Sequence, residues 1–207
     1  MAKLIQTRPL AGLSNTLTPD GEGAPPQLIL QEIPARGIVN LRLNPAKEAE
    51  AVTALREVLH LELPMQPNRV THHENHRCLW LGPDEWLVMD EAKMGSVLAQ
   101  DLAKILAAYH HSAHDLSHNY ATIGLSGHKV REALAKLTPF DLHKSVFTQG
   151  HCAQTVMAKS AVILDVISDE GAAVCFEITL RRSFAAYVWA RIKDAGAEFA
   201  LAVRDFD

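Results

Sequence analysis

The chain has 207 residues, 48% hydrophobic and 21% charged, enough to bury a substantial core as one compact unit or two small domains. A formal net charge of −4 and a pI near 6.2 give no electrostatic reason to expect a nucleic-acid backbone or an anionic membrane surface as partner. Cys78, Cys152 and Cys175 are odd in number and far apart, which fits reduced thiols better than a disulfide framework.

The first residues carry no apolar stretch of signal-peptide length, and no segment approaches the run of about 18 apolar residues that a membrane span needs. The expected location is therefore the cytoplasm. Residues 1 to about 33, with Asn15, Thr16, Thr18, Pro19, Gly21, Gly23, Pro25 and Pro26, read as an arm or extended loop suited to docking on a partner.

From Gly37 the pattern changes. Val39, Leu41 and Leu43 alternate with Asn40 and Arg42, the period of a half-buried strand. Asn44 then offers a helix N-cap and Pro45 a first helical residue, and the following helix carries Val52, Leu55 and Leu59 on one side. Cys78 to Leu81 and Trp86 to Met89 form two apolar runs joined by Gly82-Pro83-Asp84-Glu85, a hairpin turn. A second helix fits residues 95 to 109, with Leu98, Leu102, Ile105, Leu106 and Tyr109 in register, and a short strand around Asp115-Leu116-Ser117 closes this half.

The second half repeats the order. Tyr120 to Ser126 reads as a strand and Gly127 to Leu137 as a helix, stopped by Thr138-Pro139. Strands fit Thr155 to Ala158, Val162 to Ile167 and Ala172 to Ile178, the last two joined by Ser168-Asp169-Glu170-Gly171. Ser183 caps a helix with Phe184, Val188, Ile192 and Ala195 inward, Gly196 fits its C′ position, and Phe199 to Val203 finish as a strand. The expected class is thus α+β, two ferredoxin-like split β-α-β units, with residues 1–36 an arm, 37–118 the first unit and 119–207 the second. One mixed sheet layered with helices is the alternative.

Few constellations carry chemistry. His72, His73 and His76 in one loop, and His110, His111, His114 and His118 near the end of the second helix, are dense enough to suggest a metal, but the zincin order is absent, so exposed or capping histidines are preferred. Gly21 and Gly23 precede Ala24-Pro25-Pro26 rather than a helix, which excludes a dinucleotide fingerprint and a P-loop there. Gly124 and Gly127 sit at a strand-to-helix turn that suits an anion or, preferably, tight packing.

Ser126, in Gly-Leu-Ser-Gly-His, misses the nucleophile-elbow spacing. Asp165, inside Val-Ile-Leu-Asp-Val-Ile, is either a desolvated acid suited to proton transfer or, as alternation favours, an outward-facing strand residue. Trp80 and Trp86 read equally as core anchors or as interface residues.

Trp80-Leu81-Gly82-Pro83-Asp84-Glu85-Trp86-Leu87 resembles a tract of the gamma subunits of heterotetrameric sarcosine oxidase, and Asp115-Leu116-Ser117-His118 through Gly127 resembles a second segment of that family. Leu134 to Asp141 and Gly150 to Asp165 are similar to the wider group that includes the glycine-cleavage aminomethyltransferase. The resemblance implies an aminomethyltransferase-like folate-binding fold and a chain without its own cofactor, catalytic residue or metal. It also implies partner alpha, beta and delta subunits that hold FAD, FMN, NAD, zinc and tetrahydrofolate.

Such an assembly demethylates sarcosine oxidatively to glycine, hydrogen peroxide and, with tetrahydrofolate, a methylene-folate. Against the folate-binding relatives, Ser160-Ala161 replace a glycine pair and Leu164 stands beside a single Asp165, which implies a decayed folate site. Asp165 remains the residue to test for residual folate binding, with a stand-alone folate-dependent aminomethyl transferase as the alternative function. An isolated chain of this kind is expected to self-associate through surface that awaits a partner.

Overall fold

A computed structural model describes residues 8–13, 25–60, 62–170 and 174–204. Most of the expected arm, including Asn15, Thr16, Thr18, Pro19, Gly21 and Gly23, lies outside these residues, as do Gly171 and Ala172. The fold is mixed α+β with two sheets and divides into two compact units. One comprises residues 35–120 and 149–154, and the other residues 1–34, 121–148 and 155–207.

The unit formed mainly by residues 35–120 holds β2 (Gly37–Leu43), α1 (Ala49–Leu59), β3 (Val70–His73), β4 (His76–Gly82), β5 (Glu85–Asp90), α2 (Gly95–Ile105) and β6 (His111–Asp115), with sheet order β3-β4-β5-β2-β6. Neighbouring strands in it are antiparallel. Alternation in β2 buries Val39, Leu41 and Leu43, which pack with Ala51, Leu55 and Leu59 of α1 and Leu98 and Leu102 of α2. Trp86 is fully buried there and its Nε1 donates to Pro64 O at 2.8 Å, while Trp80 packs against the same core. Both tryptophans are core anchors.

Several boundaries differ from the sequence reading for local reasons. Asn44 Oδ1 accepts from the amides of Ala46 and Lys47 at 3.1 and 3.2 Å, so it closes a turn, and the helix starts only at Ala49 after non-helical Glu48. α2 stops at Ile105, and Leu106 and Tyr109 continue its apolar stripe through a turn. β6 therefore begins at His111, earlier than expected, and β3 and β4 occupy what read as a histidine loop.

A polar knot fixes the start of β2 to the end of β6. Ile38 N donates to Ser117 Oγ at 2.9 Å, and Asp115 Oδ1 accepts from the Ser117 amide and hydroxyl at 2.9 and 2.6 Å. Both side chains crowd Gly95 at the start of α2 so closely that a Cβ there would collide with them. The Asp115 carboxylate is thereby set at the positive end of the helix.

The other unit holds β1 (Leu28–Glu32), β7 (Tyr120–Ser126), α3 (Val130–Ala135), β9 (Ser160–Ser168), β10 (Cys175–Arg181), α4 (Ala185–Gly196) and β11 (Leu201–Arg204). With β8 (Cys152–Met157), whose first three residues group with residues 35–120, its sheet runs β11-β1-β7-β10-β9-β8. β1 corrects the expected arm. Leu28 and Leu30 are buried, and the strand lies parallel to β11 and antiparallel to β7. Buried Glu32 accepts from Arg8 Nε at 3.1 Å and from Leu10 N at 3.3 Å, which holds the segment around buried Leu10 on its own chain.

α3 is shorter than expected. Ser183 makes no capping bond because residues 182–184 form a 3₁₀ turn before α4. Gly196 stays helical, with φ −86°, and the left-handed residue is Ala200, φ 48°. The glycine is needed for space, since a Cβ would stand 2.6 Å from Leu201 Cδ1 and 3.2 Å from Leu28 Cδ1.

The irregular stretch between α3 and β8 is held by Arg131. Its guanidinium donates to the carbonyls of Leu142 and Phe147 and to Asp169 Oδ1, the last at 2.6 Å, and lies over the Phe176 ring. Thr148 Oγ1 donates to Asp169 Oδ2 at 2.7 Å. Burial pushes the Asp169 carboxyl up, but the hydrogen bonds from Arg131 and Thr148 outweigh it and hold the group below the usual carboxylate range.

Two outcomes test this account. Gly95→Ala lowers stability by about 1–3 kcal/mol in urea denaturation, whereas Gly82→Ala, whose Cβ would meet Glu85 Cβ at an ordinary 3.6 Å, costs less. Because the folded Asp169 pKa is depressed, its contribution is present at neutral pH and is lost as pH falls below the ordinary Asp value of about 4. Asp169→Asn accordingly flattens the acid limb of a stability-versus-pH curve.

Candidate functional site

Asp165 is buried, at 4% exposure, which overturns its reading as an outward-facing residue. Alternation failed as a guide because β9 is covered on both faces over most of its length. Register places Asp165 directly opposite Glu177 of β10, and Ile163 opposite Thr179, so these four side chains share one face of the sheet. Leu164, Val166, Phe176, Ile178 and Leu180 form the other. Thr122 of β7 joins the polar face, its Oγ1 standing 3.2 Å from Thr179 Oγ1.

The result is a buried polar row of two carboxylates and two hydroxyls. Like charges directly opposite on neighbouring strands repel, and an ionised carboxylate out of water needs donors. Asp165 and Glu177 each interact with at least one other group. Glu177 escaped the sequence reading, although Phe176-Glu177-Ile178 carries the same signal as the tract around Asp165: an acid inside an apolar strand. Ser160, the residue standing for one of the absent glycines, is buried and its hydroxyl donates to the carbonyl of Ala161 at 3.3 Å.

The other sequence candidates separate. Gly124 and Gly127 are packing residues. A Cβ at Gly124 would stand 2.7 Å from Ile33 Cδ1, and Gly127, with φ +125°, passes so close to the Gln27 carbonyl that a side chain would collide with it. α3 begins only at Val130 and is too short to offer an anion site.

The histidines disperse as well. His110 and His114 fall four residues apart along extended chain, roughly 13 Å, rather than on adjacent turns of a helix, because His111–Asp115 is a strand. His76 Nδ1 lies 3.0 Å from buried Asp90 Oδ2, and the His60 and His73 rings stand 5.8 Å apart. Among the described residues no group of three His, Cys, Asp or Glu side chains could hold a metal ion. Burial raises the Cys78 thiol pKa well above its ordinary value, with buried Cys152 adding to the effect, so neither behaves as a ready nucleophile.

The sequence model of the sarcosine oxidase, gamma subunit family matches residues 43–198. The chain belongs to that family. Within it, the sarcosine oxidase subunit gamma of Corynebacterium sp. (strain P-1) is 33% identical over 83% of this chain and 81% of that one. The corresponding subunit of Arthrobacter sp. is 35% identical over 66% of each. A chain in the structure of heterotetrameric sarcosine oxidase from Corynebacterium sp. U-96 superposes with a TM-score of 0.81 at 27% identity, covering 94% of this chain and 96% of that one. The glycine cleavage system aminomethyltransferase T from Bartonella henselae shares the fold, with a TM-score of 0.62 at 13% identity over 86% of this chain and 48% of that one.

Truncating Asp165 breaks the interaction it makes in the buried row and leaves unfilled space there. Asp165→Ala is expected to destabilise the family member by about 2–4 kcal/mol in urea denaturation, against at most about 0.5 kcal/mol for the exposed-site change Val156→Thr.

Proposed function

We propose that this chain is the gamma subunit of a heterotetrameric, cytoplasmic sarcosine oxidase, and that it supports assembly without carrying out chemistry. The observation that carries this reading is the end-to-end match, at TM-score 0.81, to a chain of a heterotetrameric sarcosine oxidase. In this reading alpha, beta and delta subunits are the partners, and they hold FAD, FMN, NAD, zinc and tetrahydrofolate. The complex demethylates sarcosine to glycine with hydrogen peroxide and methylene-tetrahydrofolate as further products, and the gamma chain supplies no catalytic, cofactor-binding or metal-binding residue. That Asp165 and Glu177 already have partners inside the fold supports it. No helix among the described residues is long and apolar enough to cross a membrane.

The same reading extends to the scaffold. We take both units as ferredoxin-like split β-α-β arrangements, supported by β5 lying between β2 and β4 and antiparallel to both. The second unit departs from the simple form by inserting β1 between β11 and β7.

A stand-alone folate-dependent aminomethyl transferase is the second reading, favoured by one observation: Asp165 is buried in a fold shared with an aminomethyltransferase. Coexpression of the tagged chain with its genomic neighbours separates the two. The subunit reading gives a yellow complex containing larger chains, and an isolated gamma chain that retains neither flavin nor folate. Avid folate binding by the isolated chain, lost in Asp165→Asn, overturns it in favour of the transferase.

A further inference from the structure

Met94 is the N-cap residue of α2, with extended backbone (φ −67°, ψ 145°) and no side-chain capping bond. Its side chain is 70% exposed, the highest value among the exposed large hydrophobic residues described. Of the other methionines described, Met65 is 49% exposed, while Met89 and Met157 are buried. Thioether oxidation follows access, so the described methionines are graded by their setting.

The product also fits its place. A sulfoxide oxygen is polar and accepts hydrogen bonds, which is disruptive in a core. At a helix N-terminus the first amides lack intrahelical acceptors and the macrodipole favours negative charge. The Met94 carbonyl already accepts from Val97 N and Leu98 N at 3.0 Å, so oxidation of the side chain breaks no backbone bond.

We propose that Met94 is an oxidative modification site whose co-reactant is hydrogen peroxide. A sulfur lone pair attacks one peroxide oxygen, the O–O bond breaks, an S–O bond forms, and the proton on the attacked oxygen passes to the leaving hydroxide, which departs as water. Sulfur loses two electrons and the peroxide gains them. The sulfoxide projects into water beside the start of α2, the fold is retained, and reduction restores the thioether.

Peroxide titration of the full chain followed by tryptic mapping tests this, because cleavage after Lys93 places Met89 and Met94 in different peptides. The Met94 peptide is expected to gain one oxygen, about 16 Da, at a lower dose than the Met65 peptide, with Met89 and Met157 unmodified until the chain unfolds. The singly oxidised protein keeps its melting temperature, and methionine sulfoxide reductase removes the added mass. Oxidation of Met65 at the same or lower dose overturns the proposal, as does a fall in melting temperature on Met94 oxidation alone. Met94→Leu serves as the control, since peroxide at the dose that oxidises Met94 in the parent chain then adds no oxygen to that peptide.

Discussion

A carboxylate removed from water must be met by donors, and in this chain that requirement ties irregular segments to sheets. Glu32 gathers Arg8 and the Leu10 amide onto β1. Asp90 Oδ1 accepts from the amides of Ala92 and Lys93 at 2.7 and 2.8 Å, and so shapes the approach to α2. Asp169 holds Arg131, which in turn holds the carbonyls of a long connection. In each case the cost of an unmet acceptor, about 1–3 kcal/mol, falls on any arrangement that leaves the segment loose.

The apolar cores work differently. Burial of Leu, Val and Ile along a strand or helix fixes which face turns inward but tolerates neighbouring arrangements, because it has no direction. The knot at Gly95, Asp115 and Ser117 supplies direction where β2, β6 and the start of α2 meet. A side chain at residue 95 would occupy the space that the carboxylate and hydroxyl need. Asp115 and Ser117, which open one of the two segments that resemble the gamma-subunit family, thus have a structural part in the fold.

Much of the fold was legible because its cues are local. Tyr120–Ser126, the hairpin across Pro83-Asp84 and the apolar stripes of α1 and α2 follow from period and turn chemistry and are present, as are Val188, Ile192 and Ala195 of α4, whereas Phe184, expected inward, is exposed in the turn before it. What escaped depends on distant partners. β1 reads as part of a Pro- and Gly-rich arm until β7 and β11 bracket it, and β3 has no apolar alternation to announce it. Gly196 looked like a helix terminator because glycine serves both conformation and space, and only the approach of Leu201 and Leu28 tells which. The burial of Asp165 was not legible, since alternation assumes one wet face and Glu177 opposite it lies 12 residues away in sequence.

A shared scaffold does not by itself carry a shared chemistry. The likeness to an aminomethyltransferase at 13% identity concerns the path of the chain, and folds of this kind host unrelated functions. Asp165 and Glu177 stand opposite one another, buried and partnered. On the subunit reading, Asp165 and Glu177 belong to a buried polar row whose disruption costs stability, so selection for folding alone is enough to retain them.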